Sequence, residues 1–263
     1  MDLGLKDKVA LVAASSQGLG RAVAEELAAE GASLVLCARD APTLDQTAAA
    51  IAERTNTRVL AVPADVTVTE DIKRLVNAGI ERFGRIDILV TNAGGPPAGR
   101  FDQLTHEQWE HAIRLTLLSA VELARQVLPG MKERRWGRIL NITSIAVKQP
   151  VEGLLLSNSM RAGLTGFART LANEVAADGI TVNNVLPGYT RTERLDELAE
   201  MMAKKQGISP GEFRGVWEKE IPMGRLGEPR ELAAMVAFLA SERASYITGT
   251  SIQVDGGWIK SLL

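Results

Sequence analysis

Ser15, Ser16, Gln17 and Gly18, followed by Leu19 and Gly20, interrupt the chain between an apolar run over 9–14 and a segment over 19–30 in which Leu19, Val23 and Leu27 recur every four residues. The first run is too short for a buried helix and reads as a core strand. The second is an amphipathic helix with Arg21, Glu25, Glu26 and Glu30 mostly toward water. A strand, a tight turn and a helix in that order aim free backbone N–H groups and the positive end of a helix dipole at one point, which suits a phosphate. Other reactive side chains are sparse. Cys37 is the sole cysteine, which excludes an internal disulfide framework and a multi-cysteine metal site; within SLVLC it reads as a small buried hydrophobe. His106 and His111, five apart on a predicted helix, do not share a face, so no metal site is expected and both read as solvated or capping residues.

The elements that must position the phosphate turn repeat along all 263 residues. Strands are predicted over 9–14, 33–37, 58–63, 86–91, 137–144, 180–188 and 250–257, with helices over 19–30, 43–54 (capped by Thr43), 69–83, 105–128 (stopped by Pro129-Gly130), 157–177 and 228–240. This alternation implies an α/β Rossmann-type doubly wound fold, a seven-stranded parallel sheet in a single domain spanning 1–263. The stretch NAGGPPAG over 92–99 is a loop at the C-terminal edge of the fourth strand, where open α/β sheets bind ligands. Residues 190–226 break the rhythm: short amphipathic segments over 194–202 and 210–219 are joined at Gly207, the second opened by a Ser209/Glu212 capping box. This insertion reads as a mobile substrate lid, packed in part by Met201 and Met202.

With 30 basic and 32 acidic residues the net charge is −2, so neither nucleic acid nor an anionic membrane is expected as a partner. Residues 1–8 lack the apolar core of a signal peptide, and no run is long enough to cross a bilayer. A soluble protein in a reducing, cytoplasmic setting is expected.

The glycine turn after the first strand, Asn92-Ala93-Gly94 after the fourth, Pro187-Gly188 after the sixth, and the ending Tyr246-Ile-Thr-Gly249 with Val254-Asp255-Gly256-Gly257 together resemble the short-chain dehydrogenase/reductase family, most closely its β-ketoacyl-ACP-reductase-type branch. The family's TGxxxGxG turn appears as Ala13, Ala14, Gly18 and Gly20, and a β-carbon at Ala14 restricts φ, so a reshaped turn is expected. The resemblance implies a dinucleotide held by Ser15, Ser16, Gly18, Leu19 and Gly20 at the turn, Asp65 and Val66 at the adenine, Asn92, Ala93 and Gly94 along its length, and Pro187, Gly188, Thr190 and Thr192 at the nicotinamide end. Where NAD-preferring members carry an acid after the second strand, this chain has Ala38 followed by Arg39, whose guanidinium suits a 2′-phosphate; NADP(H) is therefore favoured over NAD(H).

The family's catalytic pattern has changed. Ser144 occupies the position that holds the carbonyl oxygen, but the tyrosine position is Ser157, the lysine position is Arg161, and the supporting asparagine position is Thr116. Ser157 and Arg161 share a helical face at i and i+4, and Arg161 is expected to bind the ribose. An aliphatic hydroxyl is a poor acid, and a guanidinium with a pKa above ~12 does not shuttle protons. Tyr189, next to Pro187-Gly188, and Lys148, four after Ser144, are the substitute proton donors considered, beside water or the substrate. The leading expectation is an NADP(H)-dependent oxidoreductase acting on a carbonyl or secondary alcohol. The alternative is a catalytically inactive dinucleotide-binding sensor or partner subunit. The two long helices carry apolar residues on more than one side, and a homodimer or homotetramer is expected.

Overall fold

The computed structural model describes residues 2–262, less the side chain of Lys205. Seven parallel strands, β1 Val9–Val12, β2 Ser33–Ala38, β3 Val59–Pro63, β4 Ile88–Thr91, β5 Gly137–Ile142, β6 Ile180–Pro187 and β7 Ser251–Val254, form one sheet in the order β3-β2-β1-β4-β5-β6-β7. The order reverses between β1 and β4, which opens a crevice at the C-terminal edge of the sheet. Period-two alternation assigns the faces. Ala10 and Val12 pack with α1 (Gly18–Ala29), α2 (Ala41–Thr55) and α9 (Pro229–Ala240), whereas Val9 and Leu11 pack with the helices of the opposite face.

Those opposite helices are α3 (Thr69–Phe83), α5 (Ser119–Glu133) and α6 (Leu155–Val175). A shorter α4 (His106–Ala112) runs through a π-helical turn, Ile113–Leu118, into α5. The predicted stop at Pro129-Gly130 is therefore corrected: α5 passes through Pro129, because continuing buries Met131 completely against the sheet. The α2 cap is corrected too. Asp40 is the N-cap and its carboxylate accepts from the Thr43 N–H at 2.9 Å.

A polar row crosses the apolar sheet just inside the crevice. The register partners Thr91, Asn141, Asn184 and Ser251 join side chain to side chain at 2.7, 3.0 and 3.1 Å. Beyond the sheet edge, α7 (Glu193–Gln206) and α8 (Pro210–Glu220) close over a third apolar cluster that includes Leu186, Phe213, Trp217 and Trp258, with Met202 packed against it. The predicted capping box is present: the Glu212 N–H donates to Ser209 Oγ, and the Ser209 N–H to Glu212 Oε2. None of the described helices is long and apolar enough to cross a membrane.

Candidate active site

A cleft of about 980 Å³ runs along the C-terminal edge of the sheet from Thr43 and Asp65 to Ser157 and Leu198. Its floor at one end is the turn between β1 and α1. Ala14 holds φ +49° and Gly18 φ +57°, so the turn holds alanine in the left-handed region that glycine enters freely. Gln17, the N-cap of α1, makes no side-chain cap, and no acid lies in the first turn, so the first N–H groups face the cleft without a protein acceptor from a capping side chain. Ser16, Gly18 and Leu19 line the cleft.

Ser15 and Gly20, two of the predicted cofactor contacts, do not line it. Ser15 is fully buried and its hydroxyl receives the Cys37 N–H at 3.1 Å, tying the turn to β2. Gly20 is a packing glycine: a Cβ there would meet the Ala14 carbonyl oxygen at 2.1 Å. Burial pushes the Cys37 thiol up to about 11, which leaves it an inert filler.

Arg39 follows β2, is exposed, lines the cleft, and has no hydrogen bond or ion pair among the described residues. Asp65 and Val66 lie beyond it, the Asp65 carboxylate turned back to accept from the Thr67 N–H and hydroxyl, both at 2.8 Å. Asn92, Ala93 and Gly94 form the wall after β4, and Asn92 Nδ2 donates to the Ala14 carbonyl at 3.4 Å. Pro187, Gly188, Thr190 and Thr192 complete the far wall. Thr192 caps α7 by accepting from the Leu195 N–H.

The catalytic positions converge. Ser144, Ser157 and Arg161 all line the cleft. The half-buried Arg161 gives Nη1 to the carbonyls of Ile142 (3.0 Å) and Thr143 (2.5 Å), and its Nε to Ser157 Oγ at 3.1 Å. Ser144 Oγ likewise accepts from the Ala146 N–H at 3.1 Å. Both serine oxygens are thus acceptors for protein N–H groups, which frees both hydroxyl protons for an oxygen in the cleft. Burial, reinforced by the charge of Arg194, pushes Arg161 down to about 10; the sequence-based expectation of a value above ~12 is corrected, and the group stays cationic at neutral pH. Thr143 Oγ1 in the cleft wall and Thr116 Oγ1 in the π turn are buried without a partner.

Tyr189 and Lys148 do not line the cleft. Tyr189 stacks on Trp217 with centroids 4.8 Å apart and meets Trp258 edge-on at 5.7 Å; burial, then the charge of Glu220, pushes its hydroxyl up to about 12. Sequence reasoning missed His111, which lines the cleft with Leu115, while His106 is exposed and 3.5 Å from Glu110. It also missed Arg194 and Glu193 at the start of α7. Arg194 Nη2 reaches the Pro96 carbonyl at 3.5 Å, and Glu193 lies against the turn, its Oε2 3.6 Å from where a Cβ of Gly18 would be.

The sequence of this chain matches the enoyl-(acyl carrier protein) reductase family model over residues 13–259. It belongs to the short-chain dehydrogenase/reductase family. Among the family's members it is 38% identical over 253 residues, 96% of this chain and 98% of the relative, to the 3-oxoacyl-acyl-carrier-protein reductase FabG of Haemophilus influenzae. The L-sorbose reductase of Gluconobacter frateurii, solved with NADPH and L-sorbose, superposes with a TM-score of 0.95 at 38% identity over the whole of both chains. A variant of actinorhodin polyketide ketoreductase solved with NADPH superposes at 0.93 with 33% identity over 97% of this chain and 98% of that one. The reductase-type fold is therefore shared from end to end.

Proposed function

We propose that this chain is an NADP(H)-dependent oxidoreductase that interconverts a carbonyl and a secondary alcohol at an altered catalytic site. One observation carries the reading: a single continuous cleft is lined at one end by a helix N-terminus with no acid in its own first turn and an unpartnered Arg39, and at the other by Ser144, Ser157 and Arg161. These residues fit a dinucleotide phosphate. The α1 N–H groups would hold the pyrophosphate, Arg39 beside Thr43 a 2′-phosphate, Asp65 and Val66 the adenine, and Pro187, Gly188, Thr190 and Thr192 the nicotinamide end. Relatives solved with NADPH support the same cofactor. Bound NADPH supplies a hydride.

The chain's own residues would act on the substrate oxygen. Ser144 and Ser157 donate their hydroxyl protons as hydrogen bonds toward it, and a preorganised donor of this kind contributes roughly 3–4 kcal/mol to transition-state stabilisation. Arg161 polarises Ser157 through the Nε bond and places a fixed positive charge beside developing negative charge. Its other bonds run to backbone carbonyls, so it acts as a positioning residue for Ser157 and for the edge of β5. A second reading, a dinucleotide-binding protein without turnover, is favoured by the fact that no tyrosine or lysine lines the cleft among the described residues.

Calorimetric titration with NADPH and NADH, for the native chain and Arg39→Ala, followed by NADPH consumption with ethyl acetoacetate and L-sorbose, tests the proposal. NADPH should bind the native chain about 10- to 100-fold more tightly than NADH, a difference removed in the variant, since a charged hydrogen-bonded pair contributes about 1.5–3 kcal/mol. Failure to bind either nucleotide overturns the reading; tight binding without turnover selects the second one. A homodimer or homotetramer built on α4 to α6 in a reducing, cytoplasmic setting belongs to the same proposal, supported by the exposed Leu118 in the π turn. A light-scattering mass equal to the 28.2 kDa chain would end that part.

A further inference from the structure

We propose that His111 is the proton donor of this site, protonating the substrate oxygen held by Ser144 and Ser157. The proposal rests on the oxidoreductase reading above and supplies the acid that reading lacks. His111 is the last but one residue of α4, and Leu115 lies one turn further on the same stripe; both line the cleft. The helix that bears them packs on α6, which carries Ser157 and Arg161. Because His111 is exposed, it can exchange protons with solvent.

The other titratable groups of the cleft fail as acids. The Cys37 thiol is fully buried at the end of β2 and the Asp65 carboxylate is occupied by Thr67. Asp40 caps α2 and, through its bonds to Thr43, lies below the usual carboxylate range. Glu193 sits against Gly18 at the phosphate end. Arg39, Arg161 and Arg194 are cations whose guanidinium does not release its proton at neutral pH. An ordinary imidazole titrates near pKa ~6.5, where an acid working at neutral pH should lie.

Several charged groups face His111 or flank it. Glu110 and Arg114 lie on its own helix, 3.9 Å from each other, with Glu110 also 3.5 Å from His106. Arg161 of α6 and Arg194 of α7 line the same cleft, and Arg194 is paired outward with Glu197 at 3.1 Å. The balance of the reaction is simple. As the hydride from reduced nicotinamide forms a C–H bond at the carbonyl carbon, the C=O π pair moves to oxygen, the imidazolium N–H bond breaks and an O–H bond forms. The neutral imidazole regains its proton from water, and in the reverse direction it takes the hydroxyl proton of the alcohol.

The test uses the full chain with NADPH and with ethyl acetoacetate or L-sorbose, comparing the native protein with His111→Gln. For the native chain, kcat should fall as pH rises and the imidazolium is lost. In His111→Gln it should drop about 10²-fold or more and lose that pH dependence, with NADPH affinity by calorimetry unchanged. A second readout needs no turnover: because the chain has two histidines, the variant assigns the imidazole proton resonances, and ethyl 3-hydroxybutyrate added with NADP⁺ should shift that of His111 and not that of His106. A variant that binds NADPH and keeps native kcat and pH profile overturns the role of His111 while the oxidoreductase reading stands. Tight NADPH binding with no turnover in the native chain and no shift of the His111 resonance overturns both.

Discussion

At position 161 a guanidinium divides its donors: Nη1 gives to the successive carbonyls of Ile142 and Thr143 at the end of β5, and Nε remains for Ser157. The substitution was legible in the sequence as a changed residue at i+4, but its consequence was not, because spacing gives the face of a helix and not which donors the backbone consumes. His111 escaped for a related reason. Asking whether the two histidines share a face discards each of them, whereas pairing His111 with Leu115 at i+4 would have set it on the stripe that meets the cleft. Ala14 was read correctly as the unusual member of the phosphate turn, but the turn accommodates it by holding φ +49°. A left-handed conformation costs an L-residue roughly 1–2 kcal/mol, and part of that is offset because glycine loses more chain entropy on folding. Ala14→Gly should therefore raise stability by about 0.5–1 kcal/mol. An increased urea midpoint with unchanged slope in denaturation curves would show this; a decrease would mean that the methyl group contributes packing that outweighs its backbone strain.

Strands β1, β2 and β4 were legible as apolar runs bounded by breakers, because parallel strands covered on both faces are written as near-continuous Val, Leu and Ile. Helix ends were less so. The π turn and the passage through Pro129 leave no local signature: the first is an extra residue in the helical repeat, and the second is decided by burial of Met131, two residues beyond the proline. The polar row from Thr91 to Ser251 was invisible for the same reason, since each member looks like a lone polar residue until the register aligns them. That row has an energetic consequence. Asn141 joins Thr91 to Asn184 with both halves of its amide while 1% exposed, so Asn141→Ala orphans the partners on both sides. With about 1–3 kcal/mol per buried unsatisfied group, a loss of roughly 2–4 kcal/mol is expected. Urea denaturation followed by circular dichroism checks it. A loss below ~1 kcal/mol would show that the Thr91 hydroxyl and the Asn184 amide find other partners.

The molecule as a whole is nearly neutral at −2, yet its cleft separates charge along its length. Arg39 stands unpartnered at one end, Arg161 and Arg194 meet at the other, and Glu193 lies between them over the phosphate turn. An anionic dinucleotide entering this cleft must bridge β2, α1, β4 and the α7 segment. Occupancy should therefore stabilise the whole domain by mass action: at a concentration about 100 times its dissociation constant a ligand specific to the native state adds ~2.7 kcal/mol. For a chain of this size each kilocalorie moves Tm by roughly 2–4 °C, so saturating NADPH should raise Tm by about 5–10 °C. NADH at the same concentration should raise it less, because it offers no 2′-phosphate to Arg39, and the difference should shrink as salt screens the exposed guanidinium. Thermal unfolding scans with each nucleotide at low and high salt measure all of this together. Equal shifts for the two nucleotides would place Arg39 outside recognition, while a shift that ignores salt would locate discrimination in shape rather than charge.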